Sequence, residues 1–428
     1  LVRNLRRVLA GRRPKPFVPQ TRYLSLISTG DQYAVASRGV WAAEGKRLWT
    51  LKDRIDRRFM RKYAELPVMT ETEVPAPEVG IADAAALREL STIAMRCGGC
   101  GAKVGSTILA RVMARLDVVP RDDVVVGLDA PDDAAIVRPV PGRALVHTVD
   151  YFRAFVDDPY VFGRIAANHA LADVYAMGGE PQTALAIATV PYGIESKVED
   201  DLFQMMSGAL SILNGSRCAL VGGHTSEGAE LALGFAVTGA VNESEALRKG
   251  GLAPGQALIR TKPIGTGTLF AAAMRHRARG AWIDGALAAM QVPAREAAVC
   301  LHRFGATACT DVTGFGLVGH LVEMTKPSGV DVEIDLAAVP LLDGACNTVE
   351  AGIFSSLQPQ NVRLRRAVEH GEALKGDPRY ALLFDPQTAG GLLAGVPADR
   401  ADACVAELRR VGYARAAIIG RILPASGA

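Results

Sequence analysis

The sequence predicts a chain of mixed α+β structure, with an α/β arrangement as the alternative. Runs typical of strands, 124–126, 144–149 and 231–237, alternate with runs that carry apolar residues three and four positions apart, 162–177 and 316–324. Apolar residues make up 49% and charged residues 22% of the 428 residues, which is enough apolar material to bury a core. This length predicts about two to three domains.

Charge divides the chain into a basic start and an acidic remainder. Residues 1–65 contain 16 Lys and Arg against 5 Asp and Glu, a net charge of +11. The rest holds 32 basic and 40 acidic residues, a net charge of −8, because the whole chain has 48 and 45. Residues 66–90 are acidic and contain three prolines, which predicts an extended linker. A polar stretch near 241–254 predicts a further boundary, so we expect domains over 91–245 and 246–428.

Cysteine content and hydropathy indicate where such a chain works. Seven cysteines spread through a long chain are atypical of a disulfide-stabilised secreted protein and favour a reducing compartment, so we expect the cytoplasm. The sequence contains no run of 18 apolar residues, so we expect no membrane span. The basic first residues are not followed by the apolar segment that a signal peptide would have. Leu1 in place of Met is typical of a processed or truncated product. We expect no nucleic-acid partner.

A glycine-rich stretch with two cysteines follows the linker. Cys97, Cys100 and Lys103 lie in Arg96–Gly105 among four glycines, a composition that permits unusual backbone angles. A nearby ammonium lowers the pKa of a thiol, so Cys100 beside Lys103 is a candidate reactive group. Half of a zinc site or a structural turn is the alternative, although no second Cys-x-x-Cys follows at zinc-finger spacing.

Aspartates recur at the ends of the predicted strands. These are Asp132, Asp133, Asp150, Asp173 and Asp311. Carboxylates together with phosphate oxygens are typical ligands of Mg²⁺ bound with ATP. Taken singly, each aspartate is more typical of a turn or a helix cap, so only convergence in space would make a site.

Three glycine patterns bear on nucleotide binding. The chain has no Gly-x-x-x-x-Gly-Lys-Ser/Thr, so it would bind ATP without a P-loop. Residues 314–319 fit Gly-x-Gly-x-x-Gly, which keeps a nicotinamide- or flavin-dependent oxidoreductase open, but no suitable acid follows about 20 residues later. The clusters at 222–223 and 265–267 suit either phosphate approach or plain turns.

From about Arg96 to its end, the chain resembles the selenide, water dikinase (selenophosphate synthetase) family. The resemblance rests on eight motifs in order: Cys100–Lys103, Asp132–Ala135, Thr148–Phe152, Asp157–Ala167, Asp173–Gly179, Gly222–His224, Thr310–His320 and Asp385–Leu393. It implies two α+β domains folded as in aminoimidazole ribonucleotide synthetase, with a dimer formed through the first. It also implies that ATP and Mg²⁺ convert selenide to selenophosphate, with AMP and phosphate released, for selenocysteine and selenonucleoside synthesis.

The resemblance assigns roles to particular residues. Cys100 matches the catalytic cysteine and Lys103 the essential lysine. The matched magnesium ligands are Asp133, Asp173 and Asp311, and the matched nucleotide contacts are Lys103, Asp132, Asp150, Asp173, Gly222, Gly223 and His224, the last three reaching across the dimer. Many members have a second cysteine directly before the lysine, where this chain has Ala102, so a role for Cys97 stays open. A protein that delivers selenide is a further implied partner.

Residues 1–65 resemble a different family, the C-terminal end of a flavin-dependent NADH dehydrogenase. Residues 25–31 and 52–60 carry this likeness. The nucleotide-binding part of such a domain is missing, so we expect neither FAD binding nor hydride transfer. Other ATP enzymes of the same superfamily, such as thiamine monophosphate kinase, and a zinc-binding interaction module are the remaining alternatives. The Cys100–Lys103 loop argues against the first of these.

Overall fold

The computed structural model describes residues 2–16, 19, 23–64 and 102–426. The chain divides into two compact units, Leu1–Ser91 and Thr92–Ala428, which are described separately. Cys97 and Cys100, together with the linker predicted over 66–90, lie outside the described residues, whereas Lys103 lies within them.

The N-terminal unit contains a small antiparallel sheet and a long helix. Its elements are α1 (Val2–Leu9), β1 (Ser25–Gly30), β2 (Tyr33–Arg38), β3 (Trp41–Gly45) and α2 (Lys46–Ala64), with strand order β1-β2-β3. Asp31 and Gln32 both have positive φ, as a two-residue hairpin turn requires. Ala34 and Ala36 of β2 are buried, and α2 contacts this strand. The strand thus shows the alternation of a sheet covered on one side.

The first domain of the second unit is a four-stranded sheet covered by two helices. Its elements are α3 (Ser106–Met113), β4 (Val124–Val126), β5 (Ile136–Val137), β6 (Ala144–Arg153), α4 (Pro159–Ala176), β7 (Glu180–Pro191), α5 (Glu195–Gly215), β8 (Ala219–Gly228) and β9 (Ala232–Val241). The sheet order is β6-β9-β7-β8, and only the β7–β8 pair, joined by α5, is parallel. Along β6, half-buried and exposed residues alternate, so one sheet face is covered and the other is open.

Helix α4 lies at the centre of the second unit. Asp158 caps it by accepting a hydrogen bond from the Val161 N–H, and Pro159 occupies its first turn. Glycines allow α4 and α5 to approach closely, because a Cβ on Gly163 would lie 1.9 Å from Met205 O and a Cβ on Gly208 would lie 2.0 Å from Tyr160 O. The helix is apolar on most sides, which fits its burial.

The second domain is built on a five-stranded antiparallel sheet. Its strands are β10 (Gln256–Arg260), β11 (Ala308–Asp311), β12 (Val330–Ile334), β13 (Leu392–Pro397) and β14 (Ala417–Pro424), in the order β11-β13-β10-β14-β12. Its helices are α6 (Thr266–Met274), α7 (Gly280–Gln291), α8 (Arg295–Arg303), α9 (Gly316–Ser328), α10 (Ala345–Glu350), α11 (Gln358–Asn361), α12 (Pro378–Leu382) and α13 (Ala398–Arg410). Helices α8 and α13 pack on each other, and α13 packs on the sheet.

The two domains share one continuous apolar core. Leu171 of α4, Ala297 of α8 and Leu392 of β13 belong to the same buried cluster. Asn168 Nδ2 donates to the carbonyl oxygens of Met290 and Val292 at 2.7 and 2.8 Å. The domains are therefore held by both apolar burial and hydrogen bonds at α4.

The predicted α+β class and the predicted strands and helices are confirmed. The strand–turn–helix around 314–319 is present as β11 and α9, but β11 pairs only antiparallel, with β13. A dinucleotide-binding turn belongs to a parallel βαβ unit, so the structure excludes that interpretation of the glycine pattern.

Candidate functional site

Three aspartates from separate elements meet beneath the covered face of the first sheet. Asp150 lies on β6, Asp173 lies near the end of α4, and Asp311 ends β11 of the second domain. Thr148 Oγ1 donates to Asp173 Oδ2 at 2.5 Å. Because side chains alternate along a strand, Thr148 and Asp150 point to the same side of β6, toward α4.

The charges of these aspartates act on one another. Burial raises the pKa of Asp311 well above its usual range, and the charges of Asp173 and Asp150 raise it further. Burial also raises the pKa of Asp150, an effect that His169 opposes and Asp173 reinforces. Repulsion between close carboxylates is what a bound cation would relieve.

The donor set fits a hard divalent cation. Mg²⁺ is usually held by one or two carboxylates, substrate phosphates and several waters, so a partial protein shell is sufficient. Within the parts of the chain that the structure describes, no three His, Cys, Asp or Glu side chains are grouped so that they could hold a metal ion. An ion at the aspartate cluster of Asp150, Asp173 and Asp311 would therefore need further ligands, such as the oxygens of a phosphate group.

The predicted magnesium ligand Asp133 lies on an exposed loop with Asp132. Asp133 donates its N–H to Asp132 Oδ1 at 2.8 Å, as in a local turn. Asp133 is not among the groups that chiefly shift the pKa values of Asp311 and Asp150. Ligation of magnesium by Asp133 therefore stays a prediction, as does contact of Asp150 with the nucleotide.

An apolar cavity of about 350 Å³ lies between α3, α5 and the β7–β8 pair. The predicted nucleotide residues Gly222, Gly223 and His224 line it, together with Pro131, which precedes Asp132. The exposed Lys103 lies three residues before Ser106, which also lines the cavity. The volume is within the range of small-molecule pockets.

Packing between β7 and β8 by itself accounts for glycine at position 223. A Cβ on Gly223 would lie 2.1 Å from Ala186 O, and Gly223 has φ of +154°. The close approach of β8 to β7 therefore requires glycine here, whether or not a nucleotide binds.

The glycine cluster at 265–267 forms a helix cap. Asp385 Oδ2 accepts the Gly267 N–H at 3.0 Å, and Gln387 Oε1 accepts the N–H groups of Gly265 and Thr266 at 2.9 and 3.2 Å. Burial raises the pKa of Asp385 to about 7. Since side chains of the same domain satisfy these donors, the plain-turn alternative is correct for this cluster.

Sequence reasoning missed two buried groups, His169 beside Asp150 and Lys262 near His169. His169 Nε2 lies 3.8 Å from Asp150 Oδ1, and burial lowers the pKa of the imidazole. Lys262 donates to the carbonyl oxygens of Val292 and Ala389, and burial lowers its pKa to about 7. His169 precedes Asp173 by four residues, so helical spacing could have placed it on the same face.

Comparison with known proteins identifies the class of the second unit. The family described as AIR synthase related protein, N-terminal domain, matches residues 131–241, and its C-terminal domain family matches 253–427. Thiamine-monophosphate kinase from Stenotrophomonas maltophilia K279a superposes with a TM-score of 0.55 at 21% identity, over 75% of this chain and 95% of that one. Hydrogenase maturation protein HypE, solved in complex with ATP, gives 0.53 at 19%, over 68% and 80%. These two likenesses show the fold.

Sequence relatives identify the family within that class. A selenide, water dikinase of Clostridioides difficile is 37% identical over 345 residues, which is 79% of this chain and 95% of the relative. One of Pelobacter propionicus is 38% identical over 335 residues, 78% and 95%. The chain belongs to the selenide, water dikinase family, as its motifs predicted, and is an enzyme of the kinase type. Among the described helices, none is both long and apolar enough to cross a membrane.

Proposed function

We propose that the second unit phosphorylates selenide with ATP, forming selenophosphate and releasing AMP and phosphate, for selenocysteine and selenonucleoside synthesis. The relatives are named for two acceptors, selenide and water, and match 78% and 79% of this chain. The observation that carries the proposal to the site is the aspartate cluster at the end of α4. Phosphoryl transfer depends mainly on positioning and charge neutralisation, which such a cluster serves.

In this proposal, Asp150, Asp173 and Asp311 hold Mg²⁺, which would neutralise charge on the ATP phosphates. Lys103 brings a positive charge to the same phosphates, and Cys100 receives selenide. Lys103 is exposed to solvent, so its side chain is accessible to a bound nucleotide. The cavity lined by Gly222, Gly223 and His224 would take part of the nucleotide, with Asp132 and Asp133 on the loop at its edge.

We propose a homodimer that forms through the open face of the first sheet. Leu145, Val149, Tyr151 and Leu185 on β6 and β7 are large apolar residues that are 43–60% exposed. A contiguous apolar sheet face of this kind is typical of an interaction surface. A second copy fits it best, because the same face then covers itself around a twofold axis.

Two further assignments belong to this proposal. Five of the seven cysteines lie in described parts of the chain and are free, which supports a reducing, cytoplasmic location. Residues 1–65 of the N-terminal unit are proposed to be the remnant of an NADH dehydrogenase-like domain. The separation of the N-terminal unit as a compact unit of its own and its basic charge support a different origin from the rest.

Phosphorus NMR of ATP with the protein and Mg²⁺, with and without selenide, tests the function. We expect signals of selenophosphate, AMP and phosphate that require selenide. Conversion of ATP to ADP alone, or ATP consumption that is indifferent to selenide, would contradict the proposal.

A further inference from the structure

The loop 387–391 ties the two domains together at one residue, Ala389. Ala389 is buried and has φ of +48°. This backbone conformation costs free energy in residues other than glycine, and it persists only where the surrounding structure holds it. Its N–H donates to His169 Nδ1 at 3.0 Å, and its carbonyl oxygen accepts from Lys262 Nζ at 3.2 Å. His169 lies on α4 of the first domain and Lys262 follows β10 of the second. Ala389 is therefore fixed from both domains.

The same loop is bonded to the backbone around Asp311. The Val312 N–H donates to Gly391 O at 2.9 Å, and the Gln387 N–H donates to Thr313 O at 3.0 Å. Asp311 itself pairs with Leu392 where β11 meets β13. Because these bonds leave little freedom between loop and strand, a displacement of the loop displaces Asp311.

The other side of the His169 ring faces the carboxylates of the first domain. Since Nδ1 accepts a hydrogen bond, the neutral ring carries its proton on Nε2, the atom 3.8 Å from Asp150 Oδ1. The Phe152 ring packs edge-on at 5.2 Å between centroids and limits rotation of the imidazole. One side chain thus contacts Asp150 of the first domain and Ala389 of the second.

We infer that His169 and Lys262 are positioning residues that clamp Ala389 and so set Asp311 against Asp150 and Asp173. The inference rests on the proposed function, because these aspartates are its magnesium ligands. Both residues act through the loop and not by contact with the ion. Partners of this kind usually change metal affinity by about 10- to 100-fold when they are lost.

Four substitutions separate the clamp from general stability. Lys262→Met keeps the approximate length of the side chain and removes the donor to Ala389 and to Val292. His169→Gln keeps a donor near Nε2 and loses the acceptor near Nδ1, whereas His169→Asn keeps an acceptor near Nδ1 and loses the N–H that faces Asp150 at 3.8 Å. Gln291→Ala is the control, because it removes the 2.8 Å bond from Arg164 across the same domain interface without touching the loop.

Binding of Mn²⁺ in the presence of a non-hydrolysable ATP analogue, followed by the electron paramagnetic resonance of free Mn²⁺, measures the effect. We expect Lys262→Met and His169→Gln to weaken Mn²⁺ binding about tenfold. His169→Asn should weaken it less than His169→Gln, and Gln291→Ala should bind like the wild type. A role in folding alone would change the melting temperature without this order of affinities.

The outcomes distinguish the clamp from the metal site. Failure of the wild type to bind Mn²⁺, or wild-type binding by Asp311→Asn, overturns the metal site and the clamp with it. If Asp311→Asn loses Mn²⁺ while Lys262→Met and His169→Gln retain wild-type affinity, the metal site stands and the clamp is wrong. An equal loss in Gln291→Ala also overturns the clamp. So does failure of both clamp variants to fold while Gln291→Ala folds, because the bonds would then serve folding only.

Discussion

Thr148 Oγ1 lies 2.5 Å from Asp173 Oδ2, so a hydroxyl on β6 orients a carboxylate on α4. Thr148→Val keeps the branched shape and removes this donor. We expect the Mg²⁺ concentration for half-maximal ATP consumption to rise by about tenfold, since the loss of such a partner loosens the ligand. Thr238→Val is the control, because Thr238 bonds His147 instead. An unchanged Mg²⁺ requirement in Thr148→Val would show that Asp173 needs no orientation.

Asp311→Asn should stabilise the metal-free protein while it removes activity. An acid whose pKa is raised on folding stabilises the protein most when protonated, and that stability is lost as pH rises from its unfolded pKa, about 3.9, toward the folded one. The amide has no such loss, so the gain in melting temperature should grow with pH. Thermal unfolding from about pH 5 to pH 8 measures it, with the exposed Asp284→Asn as control. A melting temperature of Asp311→Asn below that of the wild type at pH 8 would contradict this, because it would mean that the surroundings stabilise the charged carboxylate of Asp311.

Lys103 and Cys100 should fail in different ways. Lys103→Ala removes the positive charge that is proposed to stabilise the phosphates during transfer, so turnover should fall strongly even with ample selenide. Cys100→Ser keeps the size but loses the thiolate, so selenide-dependent turnover should vanish while ATP binding survives. Steady-state kinetics and calorimetric binding of an ATP analogue separate these losses.

Cys97→Ser is the matched control for Cys100→Ser and should retain most activity. If Cys97→Ser is as inactive as Cys100→Ser, the two cysteines act as a pair. Activity in both serine variants would mean that the glycine-rich stretch is structural.

Deletion of residues 1–65 should leave selenide-dependent ATP consumption largely intact. The chain divides between Ser91 and Thr92, and the N-terminal unit has its own sheet and helix. The rate of AMP formation by the shortened protein measures the effect. Loss of activity in a folded, dimeric deletion product would show that the N-terminal unit contributes to the site.

Val149→Asp should break the proposed dimer. Val149 is 60% exposed on the open sheet face, and a charge there would have to be buried when two copies associate. Sedimentation velocity should show monomers where the wild type shows dimers. Met274→Asp is the control, because Met274 is 72% exposed on α6 of the second domain and does not belong to that sheet. Dimers of unchanged stability in Val149→Asp would place the interface elsewhere.

Local pattern predicted the elements that carry the site, but not their assembly. The periodic runs of β6, α4 and α9 are visible in the sequence because the hydrophobic pattern of an element depends on neighbouring residues. The meeting of Asp311 with Asp173 depends on how two domains dock, which no short-range pattern records. Motif order could therefore propose the aspartates, whereas their proximity required the structure.

Buried polar groups were the least predictable part. His169 lies in an apolar stretch of α4, and Lys262 follows a short strand, so neither has a local pattern that indicates chemistry. Their partner, Ala389, is more than a hundred residues away from each. The sequence alone also left the role of Gly265 and Gly267 undecided between a helix cap and a phosphate site. Their partners Gln387 and Asp385, which are distant in the sequence, decide between the two.

The strand order of the second domain has a consequence for how the enzyme is made. β10 lies between β13 and β14, and β14 also supplies the neighbour of β12. A nascent chain that ends before 417–424 lacks β14, so β10 and β12 each have an open edge. In the complete fold β10 is buried along its whole length. Since that sheet also carries Asp311, almost the whole second domain has to leave the ribosome before the aspartate cluster can assemble. Translation that stops early should leave the apolar core that the two domains share partly uncovered, and the incomplete chain prone to aggregation.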